Sequence, residues 1–439
     1  MAEGKDIHTG HGAPSAPGGS PDAGGMADGR GEPGGAGGFS DMAGARLAPA
    51  GEAMVRVPGW RGTVAHGGAE ARSLRGRGAR SNRGGRFEAH ARQAEDDGWG
   101  GLERLAGERL KTTISEEVAR TIITRNDSPD ICFSRSVNPY RGCEHGCIYC
   151  YARPTHAFLG LSPGLDFESR ISAKVNAARL FARELRHPAW RPGPVVIGPN
   201  TDAYQPAERQ YRLTRQLLEV AEEFGQPVVV ISKSPLVTRD KDILRRLARR
   251  GLVRVAISIT TLDRELARMM EPRAGAPERR LETIGELAEE GIPVVVMAAP
   301  VIPALTDHEL EKILAAARTA GARAAGYTML RLPREISGLF REWLVDLLPG
   351  RASHILSLVR SMQGGRDYDG RFGRRMKGAG PYAWAIGRRF ELAARRLGLL
   401  RRGQMLSVRQ FRPPRPRAEQ PELPGLFGEG DEGGGGDVR

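Results

Sequence analysis

The stretch Cys143-Glu144-His145-Gly146-Cys147-Ile148-Tyr149-Cys150 holds three of the chain's four cysteines, at spacings of four and three. Three thiols this close, with Gly146 among them and Arg141-Gly142 before them, describe a metal-binding loop. The glycines let the backbone curl so that the sulfurs face one point. A tetrahedral zinc site takes four protein ligands, usually as two separated pairs. Here there is one trio, and His145 sits between the first two cysteines, where reaching the same ion would strain the loop. A [4Fe-4S] cube is normally held by four thiolates. Held by three, one iron keeps an open position for a small molecule, and the site becomes a reaction site.

Outward from this loop, short β-branched runs alternate with amphipathic stretches. A strand near Ile131, Phe133 and Val137 delivers the chain to the cysteines, and five more follow at 194–198, 227–232, 253–259, 293–298 and 324–329. Buried parallel strands have this continuous apolar character. Leu213, Leu217, Val220, Ala221 and Phe224 lie at helical spacing, as do Leu310, Ile313, Leu314 and Ala317 after the start signal Thr306-Asp307-His308-Glu309. Gly225, Gly251, Gly291 and Gly321 stand where helices end. Six successive βα units imply an α/β fold with an all-parallel sheet that curls, short of the eight units of a closed barrel. A flat doubly wound sheet would fit the same pattern.

The Cys-x3-Cys-x2-Cys spacing, with an aromatic before the last cysteine, resembles the radical S-adenosylmethionine (SAM) enzymes. Cys143 to Tyr151, and Ile231-Ser232-Lys233-Ser234 after a later strand, are similar to the spore photoproduct lyase branch over roughly residues 130–330. Asn138-Pro139-Tyr140-Arg141-Gly142 and Met270-Glu271-Pro272-Arg273 look like segments of lyase-like bacterial radical SAM proteins. The resemblance implies a partial (β/α)6 barrel, open on one side, with a [4Fe-4S] cluster on Cys143, Cys147 and Cys150. It implies SAM on the unique iron, cleaved reductively to a 5′-deoxyadenosyl radical that abstracts hydrogen from a substrate. It also implies a low-potential flavodoxin or ferredoxin as electron donor, and Tyr149 near the adenine. In the lyase, a cysteine on the second strand's loop returns hydrogen to the substrate radical. The matching loop, Ile197-Gly198-Pro199-Asn200-Thr201-Asp202, has no cysteine, so that repair route is not expected here.

In βα barrels the chemistry sits at the carboxyl ends of strands. Lys233 is the natural partner for the SAM carboxylate. Ser258 or Thr260 would meet the ribose hydroxyls. Asn200, Thr201 and Asp202 occupy the place where the family meets the methionyl ammonium, with Asp202 answering its charge. Tyr151 and Tyr327, together with Tyr204, are candidates for substrate contact or radical relay, or for simple packing. Arg273 would hold a substrate phosphate or carboxylate, or cap a loop. Cys132 reads as a buried free thiol.

The 58 glycines include many in the first hundred residues and the last ten. Such ends cannot bury enough apolar surface to offset the entropy of ordering. The expected organisation is a disordered Gly/Arg-rich region at 1–98, the barrel at 99–335, a helical C-terminal extension at 336–400 and a disordered tail at 401–439. Ser115-Glu116-Glu117 suggests a short helix. The arginine-rich stretch from Arg72 to Arg92 reads as a solvated linker or a phosphate-contacting arm. A net charge of +14 fits arginine used for solubility, or nucleic acid as partner. Gln420-Pro421-Glu422-Leu423-Pro424-Gly425-Leu426-Phe427 resembles peptides that dock on DNA sliding clamps. No run of eighteen apolar residues predicts a membrane span. With no signal-peptide pattern and no disulfide framework, a cytoplasmic protein is expected. The alternative reading is a non-enzymatic nucleic-acid-binding protein whose cysteines hold a structural zinc or iron–sulfur site.

Overall fold

The computed structural model describes residues 76–87, 110–400 and 406–414. In chain order the strands are β1 (Thr113–Glu117), β2 (Ile123–Arg125), β3 (Arg135–Val137), β4 (Tyr140–Arg141), β5 (Arg170–Lys174), β6 (Val195–Ile197), β7 (Val228–Ser232), β8 (Val253–Ser258), β9 (Val294–Val301) and β10 (Ala324–Met329). Seven share one sheet in the order β10-β9-β8-β7-β6-β3-β2, while β1, β5 and β4 form a second. From β3 to β10 the large sheet is parallel, and β2 pairs antiparallel to β3 at its edge. A doubly wound sheet reverses its strand order at a switch point. Here spatial order follows chain order throughout, and among the described residues no pairing joins β10 to β2. The six expected βα units are present, and the sheet is open, as in a partial (β/α)6 barrel.

The helices are α1 (Leu165–Ser169), α2 (Ala177–Leu185), α3 (Glu208–Tyr211), α4 (Leu213–Phe224), α5 (Lys241–Arg249), α6 (Arg264–Met270), α7 (Pro277–Glu289), α8 (Leu310–Thr319), α9 (Glu335–Leu347), α10 (Pro349–Met362) and α11 (Gly380–Arg396). On α4, Leu217, Leu218, Ala221 and Phe224 are fully buried. Each such large apolar side chain contributes about 1.5–3 kcal/mol. Gly225 then ends the helix at φ +64°, its amide reaching back to the last turn. Two large apolar cores, beside two small clusters, result among the described residues. One lies between the large sheet and its helices. The other joins Cys147, Ile148 and Tyr149 to Ala79 and to Phe340, Trp343, Leu344, Ile355 and Leu356 of α9 and α10. The C-terminal helices thus pack on the cysteine loop.

Several expectations change. Ser115-Glu116-Glu117 belongs to β1, because pairing with β5 overrides the local helix signal. Cys132 is exposed, since it sits in the turn before β3 and not on the strand. Within the two ends expected to be disordered, residues 76–87 pack on the body, with Arg77 and Ala79 buried. Ser407 and Arg412 bond the chain at Gly251 and Phe224. The remaining expectations for 1–75, 88–98 and the clamp-like peptide Gln420–Phe427 lie outside the described residues. Among the described residues, no helix is long and apolar enough to cross a membrane.

Candidate functional site

The cysteine loop follows β4 and is fastened from several sides. Its backbone is held by Cys143 N to Phe167 O at 2.9 Å and by Ile148 N to Met270 O at 3.0 Å. Gly146 has φ +67°, and a Cβ there would lie 2.8 Å from the Glu168 carboxylate, so only glycine fits. Arg153 donates to the carbonyls of Cys147 (2.9 Å) and Gly146 (3.1 Å). It also pairs with Glu168, and both side chains are fully buried.

Cys143 and Cys147 are buried and Cys150 is partly so. Burial pushes the Cys143 and Cys147 thiols up, and the neighbouring thiols add to it. On Cys147 the Lys233 ammonium pulls the other way. Among the described residues, no three His, Cys, Asp or Glu side chains close on one ion position. An iron–sulfur cube does not need that, because each thiolate ligates a different iron. Three mutually close thiols with a cation beside them fit such a group.

The loop after β6 is stitched to the cysteine loop. Asn138 Oδ1 accepts from Asn200 N at 3.0 Å and Thr201 N at 3.4 Å. The Thr201 hydroxyl donates to Tyr140 O, and Gln205 bridges Glu144 N and Gly142 O. The Asp202 carboxylate takes the Ser232 hydroxyl and the Lys233 amide, each at 2.7 Å, and the Tyr204 amide at 2.9 Å. His145 Nδ1 lies 3.3 Å from it. Burial alone would raise the pKa of Asp202, but His145, Ser232 and the Lys233 amide hold it far below the usual carboxylate range. His145, read from sequence as an unlikely ligand, therefore faces Asp202.

After β8, Tyr149 Oη meets Thr260 Oγ1 at 3.0 Å, and Thr260 donates to Glu271 at 2.7 Å. Arg280 completes this buried chain by pairing with Glu271 and donating to the Ser258 carbonyl. Arg273 pairs with Glu144 at 3.0 Å, within the cysteine loop. The Met270–Arg273 segment thus backs that loop. Lys233 Nζ lies 5.8 Å over the Tyr149 ring, with no carboxylate at ion-pair distance among the described residues. Tyr151 donates to Pro199 O, and Arg331, after β10, stacks 4.0 Å over its ring. Tyr327 instead packs on Phe390 of α11 at 4.6 Å. The structure therefore gathers Tyr149, Thr201, Asp202, Lys233 and Thr260 about the cysteines, with Ser258 linked through Arg280. It leaves the Asn200 side chain exposed and Tyr327 against a helix. Glu168 and Arg153 were not legible as site residues; a buried ion pair leaves no periodic signal.

Residues 137–317 match the radical SAM superfamily. The uncharacterized protein Rv2578c of Mycobacterium tuberculosis is 37% identical over 230 residues, covering 52% of this chain and 68% of that protein. The radical SAM Nalpha-GlyT isomerase of Pseudomonas phage M6 is 28% identical over 40% of this chain and 36% of its own length. Among solved structures, spore photoproduct lyase complexed with dinucleoside spore photoproduct aligns at 18% identity and a TM-score of 0.48, covering 70% of this chain and 85% of that one.

Proposed function

The chain belongs to the radical SAM superfamily and is an enzyme, and from that premise we propose that Cys143, Cys147 and Cys150 hold a [4Fe-4S] cluster whose open iron takes SAM. When bound, these groups supply reductive cleavage of the sulfonium to a 5′-deoxyadenosyl radical, for hydrogen abstraction from a substrate. The observation that carries the reading is the loop itself: three close thiols after β4, with the Lys233 ammonium beside Cys147 and no carboxylate at ion-pair distance from it among the described residues.

The chain's own residues bind and orient. Lys233 offers its charge to the SAM carboxylate. Tyr149, fixed by Thr260, presents a ring for the adenine. Because Asp202 is engaged by four protein groups, its part is to fix the Lys233 loop against the cysteine loop. Ser258, Thr260 and main-chain atoms remain for the ribose. Tyr151, next to Cys150 in the chain, and Arg331 over its ring stand beside the cysteines. Arg331 has no carboxylate at ion-pair distance among the described residues, and it touches Met376, whose neighbour in the chain is the exposed Lys377. This surplus of positive charge supports an anionic substrate, with nucleic acid as its class. A low-potential flavodoxin or ferredoxin supplies the electron.

Anaerobic reconstitution tests the reading. The expected result is about four irons per chain and formation of 5′-deoxyadenosine from SAM and dithionite. Replacing any one of Cys143, Cys147 and Cys150 with alanine should abolish both. Wild-type protein that binds iron but never yields 5′-deoxyadenosine would sink it.

A further inference from the structure

Residues 76–87 lie against the outer wall of the cysteine loop. The amides of Gly78 and Ala79 donate to the two oxygens of Glu168 at 2.9 and 2.8 Å. Arg77 is buried and donates to the Glu168 carbonyl at 2.7 Å. The approach is close: a Cβ on Gly78 would fall 1.8 Å from the Gly146 carbonyl oxygen. A Cβ on Gly164 would fall 2.1 Å from the Ser81 carbonyl. Ala79 packs in the same core as Cys147, Ile148 and Tyr149.

The strap is latched at a second place. Arg80, Arg83 and Arg86, spaced by three, pair with Asp346, Glu342 and Glu335 of α9. The acids stand at i, i+7 and i+11, one face of a helix, and the strap runs antiparallel to it. Ser81 adds a hydrogen bond to Glu342 at 2.7 Å. These arginines are therefore engaged within the protein, so residues 76–87 are not the solvated linker suggested by composition; Arg72, Arg75 and Arg92 lie outside the described residues.

We propose that residues 76–87 are part of the cluster site: they fix Glu168, which through Arg153 fixes the carbonyls of Gly146 and Cys147, and their ion pairs to α9 keep this wall closed. Glu168, Gly78 and Arg86 are positioning residues, since none touches the thiols. The latch is built of partly exposed charges, with Arg83 48% and Arg86 23% exposed at the side chain. Salt screens such pairs, the Debye length falling from about 10 Å at 0.1 M to about 3 Å at 1 M. The grip on the cluster is accordingly salt-sensitive. The inference rests on the cluster reading above, and the test separates the two.

The full chain is reconstituted anaerobically, and iron release to a chelator is timed at low and high salt. Metal-free protein is followed in parallel by amide hydrogen exchange over residues 143–153. Arg86→Glu should speed iron release and exchange by about fivefold at low salt, the worth of one partly buried ion pair. It should also weaken the wild type's acceleration by salt, the pairs of Arg80 and Arg83 remaining. Restoring the pair in reverse, with Arg86→Glu and Glu335→Arg together, should recover the ion-pair share of both rates, while the Arg86 bond to Pro154 O and its stacking on Phe158 stay lost. Gly78→Ala, which cannot keep the close approach, should exceed Arg86→Glu in both measurements. Unchanged rates in Arg86→Glu, or failure of the double reversal to rescue, would overturn the proposal. If the wild type takes up no iron, the cluster reading fails, and the exchange data still decide whether the strap holds the loop.

Discussion

At the scale of single residues, Asp202 is the group on which most depends. One carboxylate gathers two loops and a histidine, taking the hydroxyl of Ser232, the amides of Lys233 and Tyr204, and His145. An amide in its place would turn an NH2 toward donors. Asp202→Asn should therefore cost about 2–3 kcal/mol, the range for a hydrogen-bonded charge lost from a buried site. Urea unfolding of the metal-free protein measures it, and a change below about 0.5 kcal/mol, the scale of an ordinary surface substitution, would show that the carboxylate is not the hub. Arg280 and Glu271 work in the same way one strand further on, holding Thr260 and through it Tyr149.

At the scale of elements, helices α4 and α5 are joined by Arg215, which donates to Asp240 at 3.1 Å and to both oxygens of Asp242 at 2.9 Å. Hydrogen bonds from this guanidinium hold Asp242 down to about 2. A carboxyl depressed on folding stabilises the protein above its unfolded value of about 3.9 and loses that contribution as pH falls through the folded value. Wild type should thus lose stability between about pH 4 and pH 2 partly through this pair, and Asp242→Asn should flatten that stretch of the profile. The pair is half exposed, so its worth at neutral pH is below about 1 kcal/mol. Thermal melts at several pH values check it; parallel profiles for the two proteins would refute the assignment.

At the scale of the whole molecule, the open sheet leaves β10 and β2 as its two edges, and one loop reaches both sides. Met376 O accepts from Met329 N at the end of β10, while Arg375 forms a 2.7 Å ion pair with Asp130 in the turn between β2 and β3. The two side chains are half-buried and the guanidinium grips both carboxylate oxygens, so the pair is worth about 1–1.5 kcal/mol, the upper end for a partly exposed pair. Asp130→Asn should free the loop on that side and raise tryptic cleavage after Arg366, Arg371 or Arg374 by about tenfold, in proportion to the opened population. Equal cleavage rates would mean that the β10 contact alone keeps the loop in place.

The amino-acid sequence alone yields six parallel strands, helix ends at Gly225, Gly251, Gly291 and Gly321, and the cysteine trio. These are local signals: β-branched runs, apolar spacing, the need for a left-handed residue after a helix, and thiols close along the chain. It did not distinguish an open curled sheet from a doubly wound one, because strand order in space is a long-range property that leaves the same local pattern. Only the folded chain reveals that Asp202 and Thr260 are engaged by protein groups, that Cys132 is exposed, and that an arginine-rich stretch before residue 88 packs against the cysteine loop. The physical reason is common to these: a buried charge or an approach of two backbones is stable only when partners distant in sequence arrive together, as Gly78, Gly146, Arg153 and Glu168 do.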